Sequence, residues 1–134
     1  LAGAKTANKG YGGFCFRPDA TRLPMHFTDA RGAQSEDQLR AETPWADVSF
    51  PMGKGESKQS GVAIFQHSTN PGYPHPGWIM RHYGFLGASW PHTEPHTLNP
   101  GESFHLKYRL LVHRGSAEEA KVQDAFQMYQ SAQK

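Results

Sequence analysis

The amino-acid sequence predicts a mainly β protein, an antiparallel β-sandwich with one α-helix at its C-terminal end. The chain of 134 residues contains 14 glycines and 10 prolines, which favours frequent turns. Its apolar runs are short, and several alternate with polar residues, which is the period of a strand at the surface of a core. Beyond residue 116 the apolar spacing changes to three and four residues, the period of a helix.

Four segments in the first half of the chain are predicted to be strands, because short apolar or alternating runs stand between turn residues. They are YGGFCFR (11–17), TRLPMHF (21–27), WADVSF (45–50) and GVAIFQH (61–67). The second is expected at a sheet edge, since Pro24 lacks the amide proton of a ladder hydrogen bond. The third has the period of a half-buried strand, and the fourth is apolar on both faces, so a central strand is expected there.

The segments between these strands are predicted to be connections. Residues 29–44 are polar and are expected to form a loop with one helical turn near residues 36–39. PMGKGESKQSG (51–61) combines glycine with polar residues, which is typical of a hairpin tip. PHTEPHTLNPGE (91–102) is expected to be an irregular loop, because its prolines interrupt regular structure.

The second half of the chain combines further strands with the helix. GWIMRHYGFLGAS (77–89) is expected to hold one or two short strands. SFHLKYRLLVH (103–113) alternates throughout, so a long strand is predicted with one face in the core and the other largely in water. Ser116 and Glu119 form a capping-box pattern, and a helix is expected over residues 116–132. Its apolar stripe would pack on the sheet or on a missing partner, and comprises Val122, Ala125, Phe126 and Tyr129.

Composition excludes several classes of protein. The formal net charge is only +2 and the basic residues are scattered, which argues against a nucleic-acid-binding surface. No apolar run reaches the roughly 18 residues of a membrane span. The single cysteine, Cys15, excludes an intramolecular disulfide framework. At this length one β-sandwich domain, residues 1–134, is predicted. The compartment stays open, with a secreted or periplasmic location among the alternatives.

The stretch QHSTNPGYPHPGWIMRHYG (66–84) concentrates the side chains that can carry chemistry, and a metal site is one hypothesis for it. His67 ends the predicted central strand, His75 lies among prolines, and His82 lies near the end of the stretch. Imidazole nitrogens are common zinc ligands, and a carboxylate such as Asp47 or Glu102 would complete the set. No local spacing forces the three rings together, so no cofactor is predicted.

A saccharide site is the other hypothesis for the same stretch. Sugars present vicinal hydroxyls and apolar C–H faces, so planar polar side chains beside aromatic rings suit them. His67, Asn70 and Arg81 supply polar groups of this kind. Trp78 and Tyr83 supply aromatic rings. His67 and Arg81 are also the candidate catalytic residues if the site belongs to an enzyme.

Three ordered motifs resemble the PmoA-like family, a bacterial family labelled methane oxygenase whose function is not established. They are GVAIFQH, NPGYPHPGWIMRHYG and LNPGESFHLKYRLLVHRG, and with KGYGGFCFR and WADVS the resemblance covers roughly residues 8–130. A membrane methane oxygenase subunit needs spanning helices, for which this sequence has no apolar run of sufficient length. The resemblance implies a β-sandwich of the type shared with sugar mutarotase-like domains, and implies that the chain is the C-terminal part of a longer family member.

The resemblance also marks individual positions. The family pattern falls on Arg17, His67, Asn70, Pro71, Trp78, Arg81, Tyr83 and Gly84. Where the pattern D-H-P-x-N-P is expected, this chain has QHSTNP (66–71), so the acid beside His67 is missing. An acid–base pair at His67 therefore lacks one of its members.

Three functions are compatible with these observations. The first is a carbohydrate-related domain that binds or processes a small saccharide or oligosaccharide through residues 66–84, with a ligand site comprising Arg17, His67, Asn70, Trp78, Arg81 and Tyr83. The second is a metal-dependent enzyme that uses His67 with His75 or His82. The third is a structural module that pairs through a sheet edge and the C-terminal helix, either as a homo-oligomer or with a missing N-terminal half.

Overall fold

The structure of the chain is a computed structural model that describes residues 10–54 and 58–133. It confirms the predicted fold class, because two antiparallel sheets pack together and a C-terminal helix follows them. The strands are β1 (Phe14–Phe16), β2 (His26–Asp29), β3 (Gly32–Gln34), β4 (Gln38–Ala41), β5 (Trp45–Pro51), β6 (Gln59–Gln66), β7 (Trp78–Arg81), β8 (Phe85–Ala88) and β9 (Tyr108–Arg114). The helix α1 spans Val122–Ser131. The four-stranded sheet has the order β1-β8-β7-β4, and the five-stranded sheet has the order β3-β2-β5-β6-β9.

The main core lies between the two sheets. Alternate side chains of a strand point to the same face, so the apolar set of each long strand is buried together. Trp78 of β7 is fully buried in this core, and its indole N–H donates a 2.6 Å hydrogen bond to the carbonyl oxygen of Thr43. The cluster around it includes Phe27, Val48, Ile64, Met80 and Leu86.

A second core lies on the outer face of the five-stranded sheet, where α1 packs. Phe65 of β6 contacts the rings of Phe126 and Tyr129, which belong to the predicted apolar stripe of the helix. The indole N–H of Trp45 donates to the side-chain oxygen of Gln123 at 2.8 Å. Because the helix covers this face, β5 is buried on both faces and is not the half-buried strand that its alternation predicts. The central position expected for β6 is confirmed.

The prediction of a loop with a helical turn for residues 29–44 is wrong, since this stretch contains β3 and β4. The β2–β3 hairpin turns through Gly32, whose φ of 115° is a left-handed value that favours glycine. Because β3 lies outside β2, the β2 strand is interior and not the edge strand expected at 21–27. Both missed strands are only three or four residues long and mostly exposed. Pairing with their neighbours therefore determines them, and they have no hydrophobic period that could predict them.

The hairpin predicted at residues 51–61 is present, since β5 pairs antiparallel with β6 up to Pro51 opposite Gln59. Residues 55–57 of this predicted tip lie outside the described residues. The segment 77–89 contains two strands, β7 and β8, which pair antiparallel across the turn 82–84.

The C-terminal elements are shorter than the sequence predicts. The strand expected at 103–113 is regular only as β9, and it exposes Leu110 and Val112, at 50% and 75% of their surface, on the face expected in the core. This strand is the last in the five-stranded sheet; its Tyr108 packs against the main core and its Leu111 against the second core. The capping box forms between Ser116 and Glu119, but α1 begins only at Val122, after Lys121 in a left-handed conformation.

A buried polar pair joins β5 to β9 across β6. His113 Nε2 lies 2.5 Å from a carboxylate oxygen of Asp47, and Ser49 donates its hydroxyl to the other oxygen at 2.8 Å. Ser49, Gly61 and His113 lie opposite one another in the three strands. A Cβ atom at Gly61 would lie 2.6 Å from the His113 ring, so the ring occupies space that any other residue would fill.

Candidate functional site

The structure places the six predicted ligand residues in separate environments. Trp78 belongs to the main core, and Arg17 is exposed beyond β1. His67 and Asn70 lie where the chain leaves β6, beside the start of β9. Arg81 and Tyr83 lie together at the turn between β7 and β8. The stretch 66–84 therefore does not form one site, because its two ends contribute to different surfaces.

The Asn70 side chain joins the segment that follows β6 to the segment that precedes β9. Its side-chain amide donates to the carbonyl oxygen of Lys107 at 2.8 Å and accepts from the Lys107 N–H at 2.7 Å. His67 N–H also donates to the Lys107 carbonyl oxygen at 3.1 Å. Asn70 is 6% exposed, and both its side-chain oxygen and its side-chain nitrogen are bonded to the backbone of Lys107. Its role in the structure is therefore to hold these two segments together.

The three histidines of the metal hypothesis also have different neighbours. His67 bonds to Thr69, while His82 bonds to Asp37. His75 is half-buried, and burial with the nearby His92 lowers its pKa. Among residues 10–54 and 58–133, no three histidine, cysteine, aspartate or glutamate side chains are grouped closely enough to hold a metal ion.

Arg81 and His82 are held by a carboxylate that sequence reasoning did not identify. Asp37 accepts from Arg81 Nε at 2.9 Å with one oxygen, and from the backbone N–H and Nδ1 of His82 at 2.8 and 2.7 Å with the other. The pairing of β4 with β7 explains this contact, because Gln38 lies opposite Met80 and Asp37 is therefore carried to Arg81. Burial raises the pKa of Asp37, but these hydrogen bonds outweigh it and hold that pKa below its usual value.

Two tyrosines complete this surface. Arg81 donates from Nη1 to the hydroxyl of Tyr11 at 2.9 Å, and its guanidinium carbon lies 5.3 Å from the centre of the Tyr83 ring. The two tyrosine hydroxyls are 3.4 Å apart, and Tyr83 is 46% exposed. An arginine fixed between a carboxylate and a hydroxyl, beside an exposed ring, forms a rigid surface of planar groups.

A cleft of about 350 Å³ opens beside His82. Its walls come from the β2–β3 hairpin, and the residues around it are Met25, His26, Phe27, Thr28, Ala33, Gln34, Ser35 and His82. The amide nitrogen of Gln34 donates to Asp29 and to the carbonyl of Gly32, which leaves its side-chain oxygen as an acceptor. The Thr28 and Ser35 hydroxyls can both donate and accept.

The protonation of His82 follows from its partner. The Asp37 carboxylate only accepts hydrogen bonds, so Nδ1 of His82 carries the proton that is donated to it. In the neutral ring Nε2 is therefore a hydrogen-bond acceptor. Histidines that act as general bases are often oriented in this way, by a carboxylate that accepts a hydrogen bond from Nδ1.

A second pocket, of about 290 Å³, lies between β9, the end of β6 and the C-terminal end of α1. The register that pairs Gln66 with Tyr108 also brings His67 next to Lys107. The pocket is lined by His67, Lys107, Tyr108, Arg109, Tyr129, Ala132 and Gln133. The guanidinium carbon of Arg109 lies 4.7 Å from the centre of the Tyr129 ring.

Sequence reasoning identified Arg81, Tyr83 and His67 and missed their partners. Asp37 lies in a segment that gives no strand signal, and Tyr11 is seventy residues before Arg81. Gln34 belongs to a three-residue strand without alternation. The contact of Asp37 arises from the pairing of β4 with β7, two strands that are distant in the chain, and no local residue pattern predicts it.

Comparison with known proteins gives a family and no function. Residues 3–127 match the model of a family described as a family of unknown function (DUF6807). Neither a curated protein nor a solved structure matches the chain. Among the described residues, no helix is long and apolar enough to cross a membrane.

Proposed function

The chain belongs to the DUF6807 family, whose function is unknown, and we propose that it is a saccharide-binding domain that uses the cleft beside His82. The observation that carries the proposal is the mixture of donors and acceptors around this cleft. Arg81 and Tyr83, which belong to the site expected from the sequence, remain part of the proposed site. The centre of the proposed site is the cleft at the β2–β3 hairpin. The PmoA-like resemblance stays a prediction, and the proposal does not depend on it.

A neutral polyhydroxylated ligand suits this set of polar groups. Every sugar hydroxyl both donates and accepts, so a site with only one kind of partner would leave half of its capacity unused. His82 Nε2 and the Gln34 side-chain oxygen are acceptors, while the Thr28 and Ser35 hydroxyls serve as either. The cleft is lined by no carboxylate, lysine or arginine, which favours a ligand without charge.

The surface beside the cleft supports a longer ligand. Tyr83 is 46% exposed, and aromatic faces pack against the C–H faces of sugars. Arg81 uses Nε for Asp37 and Nη1 for Tyr11, so among the described contacts its Nη2 group has no partner. Because these contacts fix the side chain, a ligand hydroxyl would bind it with little further loss of conformational entropy.

The test is a screen of neutral mono- and oligosaccharides by thermal shift, followed by calorimetry on any ligand that stabilises the protein. Gln34→Ala and His82→Ala each remove one hydrogen-bonding group from the cleft. We expect each to weaken binding by about two- to tenfold, the range that the loss of a net 0.5–1.5 kcal/mol gives. Tyr83→Ala should weaken oligosaccharides more than monosaccharides, because Tyr83 does not line the cleft and would meet only a ligand that extends beyond it.

Gln130→Ala is the matched control, since Gln130 is exposed on α1 and lines neither the cleft nor the Arg81 surface. It should bind as the wild type does. A screen without any stabilising saccharide contradicts the proposal. So does a ligand that binds Gln34→Ala, His82→Ala and Tyr83→Ala with unchanged affinity.

A further inference from the structure

The geometry points to a second binding site, in the pocket of His67, Lys107, Arg109 and Gln133, and we propose that it takes an anionic oxo group, a carboxylate or a phosphate. This site is separate from the cleft beside His82, with which it shares no lining residue. The inference therefore does not rest on the proposed saccharide site. It rests on the observation that His67, Gln133, Lys107 and Arg109 all offer hydrogen-bond donors to this pocket.

His67 presents a donor to its surroundings. The backbone N–H of Thr69 donates to Nδ1 of His67 at 3.2 Å, and the Thr69 hydroxyl lies 2.8 Å from the same nitrogen. A backbone N–H cannot accept a hydrogen bond, so Nδ1 is the unprotonated nitrogen. In the neutral ring the proton is then on Nε2, which has no other partner among the described contacts. If the ring becomes charged, it still offers only donors.

Gln133 presents a donor for the same kind of reason. Its side-chain oxygen accepts from the backbone N–H of Ser68 at 3.0 Å and from the Ser68 hydroxyl at 2.8 Å. These two bonds identify the oxygen and occupy it. The amide nitrogen, which carries two protons, is left for the pocket.

Lys107 and Arg109 add two full positive charges. Both residues are exposed, and among the described residues neither forms an ion pair with a carboxylate. The contact with the Tyr129 ring holds the guanidinium of Arg109 in place. Apart from the two tyrosine hydroxyls, every polar side chain that lines the pocket is thus a donor, and none is an acid.

The negative end of the α1 helix dipole does not cancel the positive charge of Lys107 and Arg109. A helix C-terminus carries about half a negative charge, on carbonyl oxygens without helical partners. Here the Ala132 N–H binds the carbonyls of Met128 and Tyr129, and the Gln133 N–H binds that of Gln130. The two cationic side chains exceed the remaining half charge, so the pocket favours an anion.

Nuclear magnetic resonance titration of the whole chain tests the site, with inorganic phosphate and glucuronate as the two probes and glucose as the neutral control. We expect saturable shifts at millimolar concentration in the Gln133 side-chain amide and the His67 ring with at least one anion, and none with glucose. Arg109→Gln and Lys107→Gln should each weaken binding by about tenfold, since each removes a charged hydrogen-bond donor.

Arg114→Gln is the control, because it removes the same charge from the same strand but lies outside this pocket. Saturation by phosphate alone, by glucuronate alone or by both supports the site and identifies which oxo group it prefers. Absence of saturation with both anions overturns the proposal, as does equal weakening by Arg114→Gln and Arg109→Gln. If Arg109→Gln unfolds because it loses the Tyr129 contact, Lys107→Gln decides, since Lys107 makes no cation–ring contact with the described residues.

Discussion

At the scale of single residues, the type of a side chain predicts what it can do and not what it does. Asn70 and Trp78 have the chemistry of ligand-binding residues, yet both are buried and bind the backbone of distant segments. Arg81 and Tyr83 are accessible and close together, as a ligand site requires. The sequence could not separate these cases, because the backbone groups that Trp78 and Asn70 bind lie 35 and 37 residues away in the chain.

The role of Asn70 can be tested by substitution. Asn70→Ala removes both hydrogen bonds to Lys107 and leaves a backbone N–H and a carbonyl without those partners. We expect a loss of about 1–3 kcal/mol in the free energy of unfolding, measured with urea. Asn99→Ala is the control, because Asn99 is exposed and, among the described residues, its side chain bonds to Glu102 three residues away. Equal stability of the two variants would show that Asn70 does not support the fold.

At the scale of elements, hydrophobic period predicts strands that have an apolar face and fails for those without one. The strands β5 and β6 and the stripe of α1 were predictable, because each buries a regular apolar set. The strands β3 and β4 were not, since they are short and mostly exposed. The apolar face of β9 was predicted to be buried, but alternation cannot tell that a strand lies at the edge of its sheet, as β9 does.

The pairing of β6 with its neighbours depends on a glycine. A Cβ atom at Gly61 would lie 2.6 Å from the His113 ring and 2.8 Å from the Val48 carbonyl oxygen. Gly61→Ala should therefore lower the free energy of unfolding by about 1–3 kcal/mol, the usual cost of overpacking. Gly53→Ala should have a smaller effect, because among the described residues its Cβ would meet the flexible Lys58 side chain, at 3.3 Å. Thermal or urea unfolding compares the two, and similar losses would contradict this account.

At the scale of the whole molecule, the pair of Asp47 and His113 makes stability depend on pH. Burial disfavours the charged ring, but the hydrogen bond to Asp47 and its charge outweigh burial, so the pKa of His113 is raised. A histidine with a raised pKa stabilises the fold fully below its unfolded value of about 6.5. That contribution is lost as the pH rises through the folded pKa.

The free energy of unfolding should accordingly fall as the pH rises from about 6.5 through the raised pKa of His113 in the folded state, and His113→Gln should flatten this decline. His105→Gln, which changes an exposed histidine, should leave the decline as it is in the wild type. Urea unfolding at several pH values gives the comparison. The ring signals of His113 should also titrate above the ordinary histidine range, and a midpoint below it would contradict the stabilising role of Asp47.

The position of β9 at the end of its sheet has a consequence for how the molecule opens. Among the described strands, β9 pairs only with β6, whereas β5 is paired on both edges. The β9 strand also leaves Leu110 and Val112 in water, so its detachment is opposed by one ladder and by side-chain contacts such as that of His113 with Asp47. Its amide protons should therefore exchange with solvent before those of β5. Detachment of β9 would carry Arg109, His113 and the adjacent Lys107 away from the sheet. The anion pocket and the pair of Asp47 and His113 would therefore be lost in the same local opening. The cleft beside His82 is built on other strands and would outlast it.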